Sequence, residues 1–175
     1  VDTLLFVGQT ITDLDTLSSG IYTICALAFE MEDTSIIYNY ETYSEVENGL
    51  TNFEVRKRWL FDTNIRHSGL YLKGNDLYIF YSKVSDAPES ILYTKTDLTS
   101  KDWDDWKVEP SEELMKPELE WEGANIPVEP STRGEIGIRV NQLRDPYIFE
   151  DEDGELYLLY AGGGEQGIGI AKLSF

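Results

Sequence analysis

The chain has 175 residues, of which 41% are hydrophobic and 13% aromatic, enough for one ordinary core and unlike a disordered or low-complexity segment. Lys and Arg total 14 against 33 Asp and Glu, a formal net charge of −19 spread along the sequence. A phosphate backbone is bound by clustered cations that displace its counterions, and the only dense basic run is Arg56-Lys57-Arg58, so no nucleic acid is expected as a partner.

From the amino terminus, Val1 to Val7 reads as a strand, placed by expectation as the closing outer strand of the last sheet. The chain opens with no basic stretch leading into an apolar one, so any signal peptide is expected to have been removed or never present, and localisation stays open. The apolar stretch Ile21 to Phe29 is far short of the ~20 residues a membrane-spanning helix needs, and no membrane association is expected. With Thr34 to Tyr43 it forms a predicted strand pair. Cys25, the only cysteine, lies among Ile24, Ala26 and Leu27 and is read as a buried thiol acting as a small hydrophobe.

Two clearer hairpins follow. Leu77 to Tyr81 comes after the turn signal Lys73-Gly74-Asn75-Asp76, and Leu156 to Tyr160 comes after Asp151-Glu152-Asp153-Gly154. The hairpins are copies of each other: placing Tyr78 on Tyr157, with one extra residue in the second turn, puts Arg66 on Arg144. Each copy begins with an arginine and a polar partner, Arg66-His67-Ser68 in one and Arg144-Asp145-Pro146 in the other. A third apolar segment follows in both, Ile91 to Thr94 and Ile168 to Ala171. Trp103 to Val108 is the predicted fourth strand of the first copy.

Repeated antiparallel meanders of about four strands are the unit of a β-propeller, in which a sheet buries both faces only when neighbouring blades pack against it. The expected fold is therefore all-β, a partial propeller of about two to three four-stranded antiparallel blades in a single domain. Residues 1–60 form a degenerate blade or closing strands, 61–109 a blade, 110–142 an inter-blade loop and 143–175 a second blade. The loop contains Pro117, Pro127 and Pro130, and its start at Ser111 to Met115 carries the signal of a capped helical turn. A connection of this length either carries function or merely crosses between blades.

The stretch from Arg144-Asp145-Pro146 through Tyr147-Ile148-Phe149, an acidic Gly turn and Leu156 to Tyr160 resembles the blade-opening pattern of the five-bladed propeller glycosidases. That clan includes arabinanases, β-xylosidases, invertases and levansucrases. Gly162 to Ala171 resembles the family's following turn and third strand. The resemblance covers Leu143 to Leu173 best, then Arg66 to Trp106. It implies a carbohydrate-active protein that binds a glycan in an axial cavity, with Asp145 as the carboxylate that modulates the acid or stabilises the positive charge built on the sugar ring. Glu122, in Trp121-Glu122-Gly123, partly matches the context of the family's general acid, although it precedes Asp145 here where the family's acid follows.

Beside Asp145, Arg144 either holds that carboxylate ionised and grips a sugar hydroxyl, or joins a salt bridge between blades. His67 occupies the position equivalent to Asp145, so it and Arg66 are expected to face the same axis, Arg66 to contact a sugar and His67 to bind a sugar hydroxyl, help hold an ion near the axis or bond to neighbouring backbone. Trp121 stacks on a sugar face or fills a gap between blades. The aspartate that would serve as base or nucleophile is not placed; Asp13, Asp15 and Asp62 are available. No cofactor is expected, and a metal site lacks a second histidine or a cysteine pair. Asp151, Asp153 and Glu155 do not have the spacing of a twelve-residue calcium loop.

A full five-bladed propeller at roughly 45 to 60 residues per blade needs nearly twice this length. The expected partner, besides carbohydrate, is thus a second copy forming a homodimer or the rest of a longer chain. The competing readings are a non-catalytic sugar-binding or structural half-propeller and a protein-interaction propeller.

Overall fold

The computed structural model describes residues 60–62, 64–100 and 102–174, together with the backbone of four strands nearer the amino terminus. Asp13, Asp15 and the Arg56-Lys57-Arg58 run lie outside the described residues, as does the side chain of Cys25. The chain divides into two compact units, Val1–Thr63 with Ser100–Trp106, and Asn64–Thr99 with Lys107–Phe175.

In the first unit, β1 (Asp2–Val7), β2 (Tyr22–Ala28), β3 (Asn39–Thr42) and β4 (Glu54–Val55) form one sheet in that order. The predicted strand pair is present as β2 and β3, antiparallel with Ala26 opposite Glu41. β1 does not close the last sheet: it runs parallel to β2, with Leu4 opposite Ile24. Trp103–Asp105 is a 3-10 turn where a fourth strand was predicted. Aspartate is a poor strand residue, and here Asp102 accepts the Asp104 backbone N–H at 3.0 Å, a local bond that competes with a ladder.

The second unit holds two antiparallel sheets and almost no helix. Strands β5 (Ile65–Lys73), β6 (Asp76–Lys83), β7 (Ile91–Asp97) and β8 (Glu112–Met115) make the first, in sequence order. Strands β9 (Leu143–Glu150), β10 (Leu156–Gly162) and β11 (Gly167–Leu173) make the second, with β10 in the middle. The fourth strand of the first sheet is β8, where the Ser111 signal predicted a helical turn. Pro117 forces Lys116 out of the helical region, leaving too few residues to nucleate a helix, and the segment pairs with the edge of β7 instead. The Tyr93 hydroxyl donates to Glu112 across that edge at 2.9 Å.

The two meanders repeat in register. Tyr71 opposes Tyr78 as Phe149 opposes Tyr157, and both ring pairs have centroids 6.4 Å apart. Lys95 opposes Tyr78 and reaches Asp76, and Lys172 opposes Tyr157 and reaches Glu155. Each first strand also carries a bulge at the same place, between Ile65 and Ser68 in β5 and opposite Leu159 and Ala161 in β9. In β9 the bulge has a plain cause: Pro146 has no N–H to give to the ladder.

One core joins the sheets face to face. Phe80 and Ile91 from the first meet Leu143, Ile148, Leu156, Leu158 and Tyr160 from the second, with Tyr71, Tyr78 and Tyr93 packed around them. The approach is closest at Gly69, where an added Cβ would lie 2.8 Å from the Pro146 carbonyl oxygen. Only a residue without a side chain lets β5 lie against β9 at that point.

Candidate functional site

The paired bulges bring the leading polar residues of the two copies together. An extra residue in one strand re-aims its neighbours, and such bulges occur often beside active sites. Asp145 is held at φ +50°, the left-handed region that aspartate tolerates better than most residues, and it does so directly before a proline. Backbone held this way persists only where its surroundings determine it. The surrounding contact here is His67, whose Nδ1 lies 2.7 Å from Asp145 Oδ1. Their side chains are 56% and 36% exposed, so the pair is partly accessible. The hydrogen bond to Asp145 raises the His67 pKa above its ordinary value, against the desolvation that lowers it.

Behind this pair lies a buried ionic junction. Glu89, on the connection between β6 and β7, is fully buried. Its carboxylate meets Arg66 Nε at 2.7 Å and Arg144 Nε at 3.4 Å, and it accepts the Ser82 hydroxyl at 2.6 Å. One arginine from each copy therefore leans on one carboxylate. Burial pushes the Glu89 carboxyl up, opposed by the Ser82 and Ser131 hydroxyls and by the two guanidiniums. Arg144 also donates to Gln142 Oε1 at 2.9 Å, to the Gly134 carbonyl at 3.2 Å and to Glu165 Oε1 at 3.0 Å. Arg66 donates further to the Thr132 carbonyl. Arg144 is 1% exposed and acts through these neighbours, whereas the Arg66 side chain keeps 10% exposure next to the His67 imidazole.

Trp121 and Glu122 are built into a different part of the unit. Glu122 accepts the backbone N–H groups of Glu118 and Leu119 at 2.8 and 2.9 Å and the Tyr160 hydroxyl at 2.7 Å, and it is 2% exposed. Burial, then the bond to Glu122, holds the Tyr160 phenol above its ordinary range. The two residues border a pocket of about 450 Å³ whose other wall is β8. Trp121, 38% exposed, lies over Gly162 and Gly169, where added Cβ atoms would fall 2.5 and 2.8 Å from its ring, and its indole sits 5.9 Å from the Tyr160 ring.

Of the six residues singled out in the sequence, the structure thus joins Arg66, His67, Arg144 and Asp145 in one cluster and Trp121 with Glu122 in another. Glu89, Gln142 and Glu165 were not singled out. The signal available for Glu89 was the longer polar connection between Lys83 and Ile91, compared with the short turn at the equivalent place in the second copy. Among the described residues no group of three or more His, Cys, Asp and Glu is arranged to hold a metal ion, and no helix is long and apolar enough to cross a membrane.

Over 110 residues the chain is 46% identical to an uncharacterized protein of Acanthamoeba polyphaga mimivirus, a match covering 62% of this chain and 30% of that protein. The chain thus matches about 30% of the length of this curated relative. No family model and no solved structure matches it.

Proposed function

We propose that this is a carbohydrate-active protein of the β-propeller type, which binds a glycan beside the His67–Asp145 pair. The observation that supports this reading most is the meeting of two repeat-equivalent polar side chains, half exposed, at bulges where two stacked sheets come together. In this reading the sheets β5–β8 and β9–β11 are successive blades. Glycoside cleavage builds positive charge on the sugar ring, and Asp145 supplies a fixed anion beside it. His67 and Arg66 offer donors to sugar hydroxyls. Glu122, with its oxygens committed to two amides and a phenol, supports the fold of the adjoining segment.

The test is turnover of a panel of chromogenic aryl glycosides by the full chain and by Asp145→Asn. Asparagine tolerates the same left-handed backbone, so the variant keeps the bulge. A fall of at least about a hundredfold in kcat/KM supports the catalytic reading. Saturable glycan binding without turnover, weakened in the same variant, selects a non-catalytic sugar-binding module. Neither turnover nor binding across the panel overturns the proposal.

A further inference from the structure

The second sheet leaves one face bare. Along it run two rows, Phe149–Tyr157–Lys172 and Tyr147–Leu159–Ile170, with Ile168 beside them. Tyr147 is 58% exposed, Phe149 48%, Ile170 65% and Ile168 81%. A contiguous apolar surface of this kind on a folded protein marks an interaction site more often than chance.

The repeat says what such a face does. Its two rows correspond to Tyr71–Tyr78–Lys95 and Gly69–Phe80–Tyr93 in the first sheet, residue for residue and ladder for ladder. In the first sheet that face is the one packed on the second sheet, where it meets the aliphatic face bearing Ile148, Leu156 and Leu158. Packing in this unit therefore joins unlike faces, an aromatic-rich one on an aliphatic one. The bare face of β9–β11 is of the first kind and calls for the second.

We infer that this face is the docking surface for a further antiparallel sheet of the same repeat, presenting an aliphatic face equivalent to that of Ile148, Leu156 and Leu158. A second copy of the chain does not fit the requirement. The aliphatic face of its second sheet is already covered by its first, and of the corresponding positions of its first sheet, Leu70, Leu77 and Ile79, the first is partly buried and the other two are at most 1% exposed. Two chains of net charge −19 also repel each other. The mimivirus relative has the length to carry such sheets, since the matched stretch is 30% of it. Tyr147 stands where the first sheet has Gly69, so the incoming strand sits further out at that corner and packs on the phenol ring. The inference does not depend on what the His67–Asp145 pair binds.

The test compares accessibility of this face in the 175-residue chain and in the full-length viral relative. Cysteine is placed at Ile170, and separately at Ile168, in a chain carrying Cys25→Ser, and at the equivalent strand positions of the relative. Maleimide labelling of the folded proteins is then timed. The expected result is rapid labelling of the chain from low to high micromolar concentration, and labelling roughly tenfold or more slower in the relative. Ile170→Lys is expected to leave the stability of the chain nearly unchanged and to destabilise the relative. Equal labelling rates in the two proteins would overturn the inference. So would labelling of the chain that slows as its concentration rises, which would assign the face to a second copy.

Discussion

His67 Nδ1 and Asp145 Oδ1 lie 2.7 Å apart although 78 residues separate them, because each sits in the bulge that opens its copy of the repeat. The first prediction follows from this contact. His67 is the only histidine, so its imidazole resonances titrate without overlap. Its pKa is raised in the folded chain, so its contribution to stability is fully present below the unfolded value and is lost as pH rises through the folded one. The expected NMR midpoint lies above 6.5 and falls back toward it in Asp145→Asn. An unchanged midpoint in that variant would show that Asp145 does not hold the ring.

Glu89 is the carboxylate on which both arginines lean. Glu89→Ala leaves Arg66 and Arg144 facing each other in a buried site, and a loss of about 3–5 kcal/mol is expected in urea denaturation. Glu89→Gln keeps the shape and removes the charge, so its cost is smaller. Ser82→Ala, which removes one hydrogen bond to the same carboxylate, is expected to cost about 1 kcal/mol.

Gly69 admits β9 where no side chain fits. Gly69→Ala sets a methyl group 2.8 Å from a backbone carbonyl that has little room to move, and a cost of about 1–3 kcal/mol is expected. Gly137→Ala is the control, because nothing lies within 4 Å of the added atom; its effect stays within about 0.5 kcal/mol. Equal denaturation midpoints for the two variants would refute the close approach of the sheets.

Glu122 accepts two backbone amides within the 118–122 segment and ties that segment to β10 through the Tyr160 hydroxyl. Tyr160→Phe removes the last of these bonds and is expected to lower stability by about 1–2 kcal/mol, whereas Glu122→Ala also strands two part-buried amides and costs more. Thermal unfolding of both variants orders these effects. The reverse order would mean that the carboxylate is not the acceptor of those amides.

Much of this was legible in the residues. The alternation around Leu77 to Tyr81 and Leu156 to Tyr160 announced the hairpins, and the alignment of Tyr78 on Tyr157 and Arg66 on Arg144 anticipated the shared register. The same alignment led to His67 beside Asp145. What escaped was long-range. β8 hid behind a helix-cap signal because edge pairing with β7 is invisible in local propensity. Glu89 escaped because a carboxylate in a polar connection reads as solvated unless its arginine partners, one before it and one far after, are placed in space. Glu122 was read as a partial match to the family's general acid, since nothing in Trp121-Glu122-Gly123 shows that Tyr160 and two amides wait for it.

The Arg66–Glu89–Arg144 junction also bears on how the unit reaches its folded state. Its three members come from β5, the β6–β7 connection and β9, so none of the charges is neutralised within a single hairpin. A partly folded chain with only one meander in place would hold a buried or half-hydrated carboxylate with one guanidinium missing. The transition to the native state is then expected to be all-or-none across both sheets, with a slow refolding limb set by bringing distant segments together. Stopped-flow chevrons for Glu89→Gln that show faster unfolding with little change in refolding would place this ion cluster on the native side of the barrier.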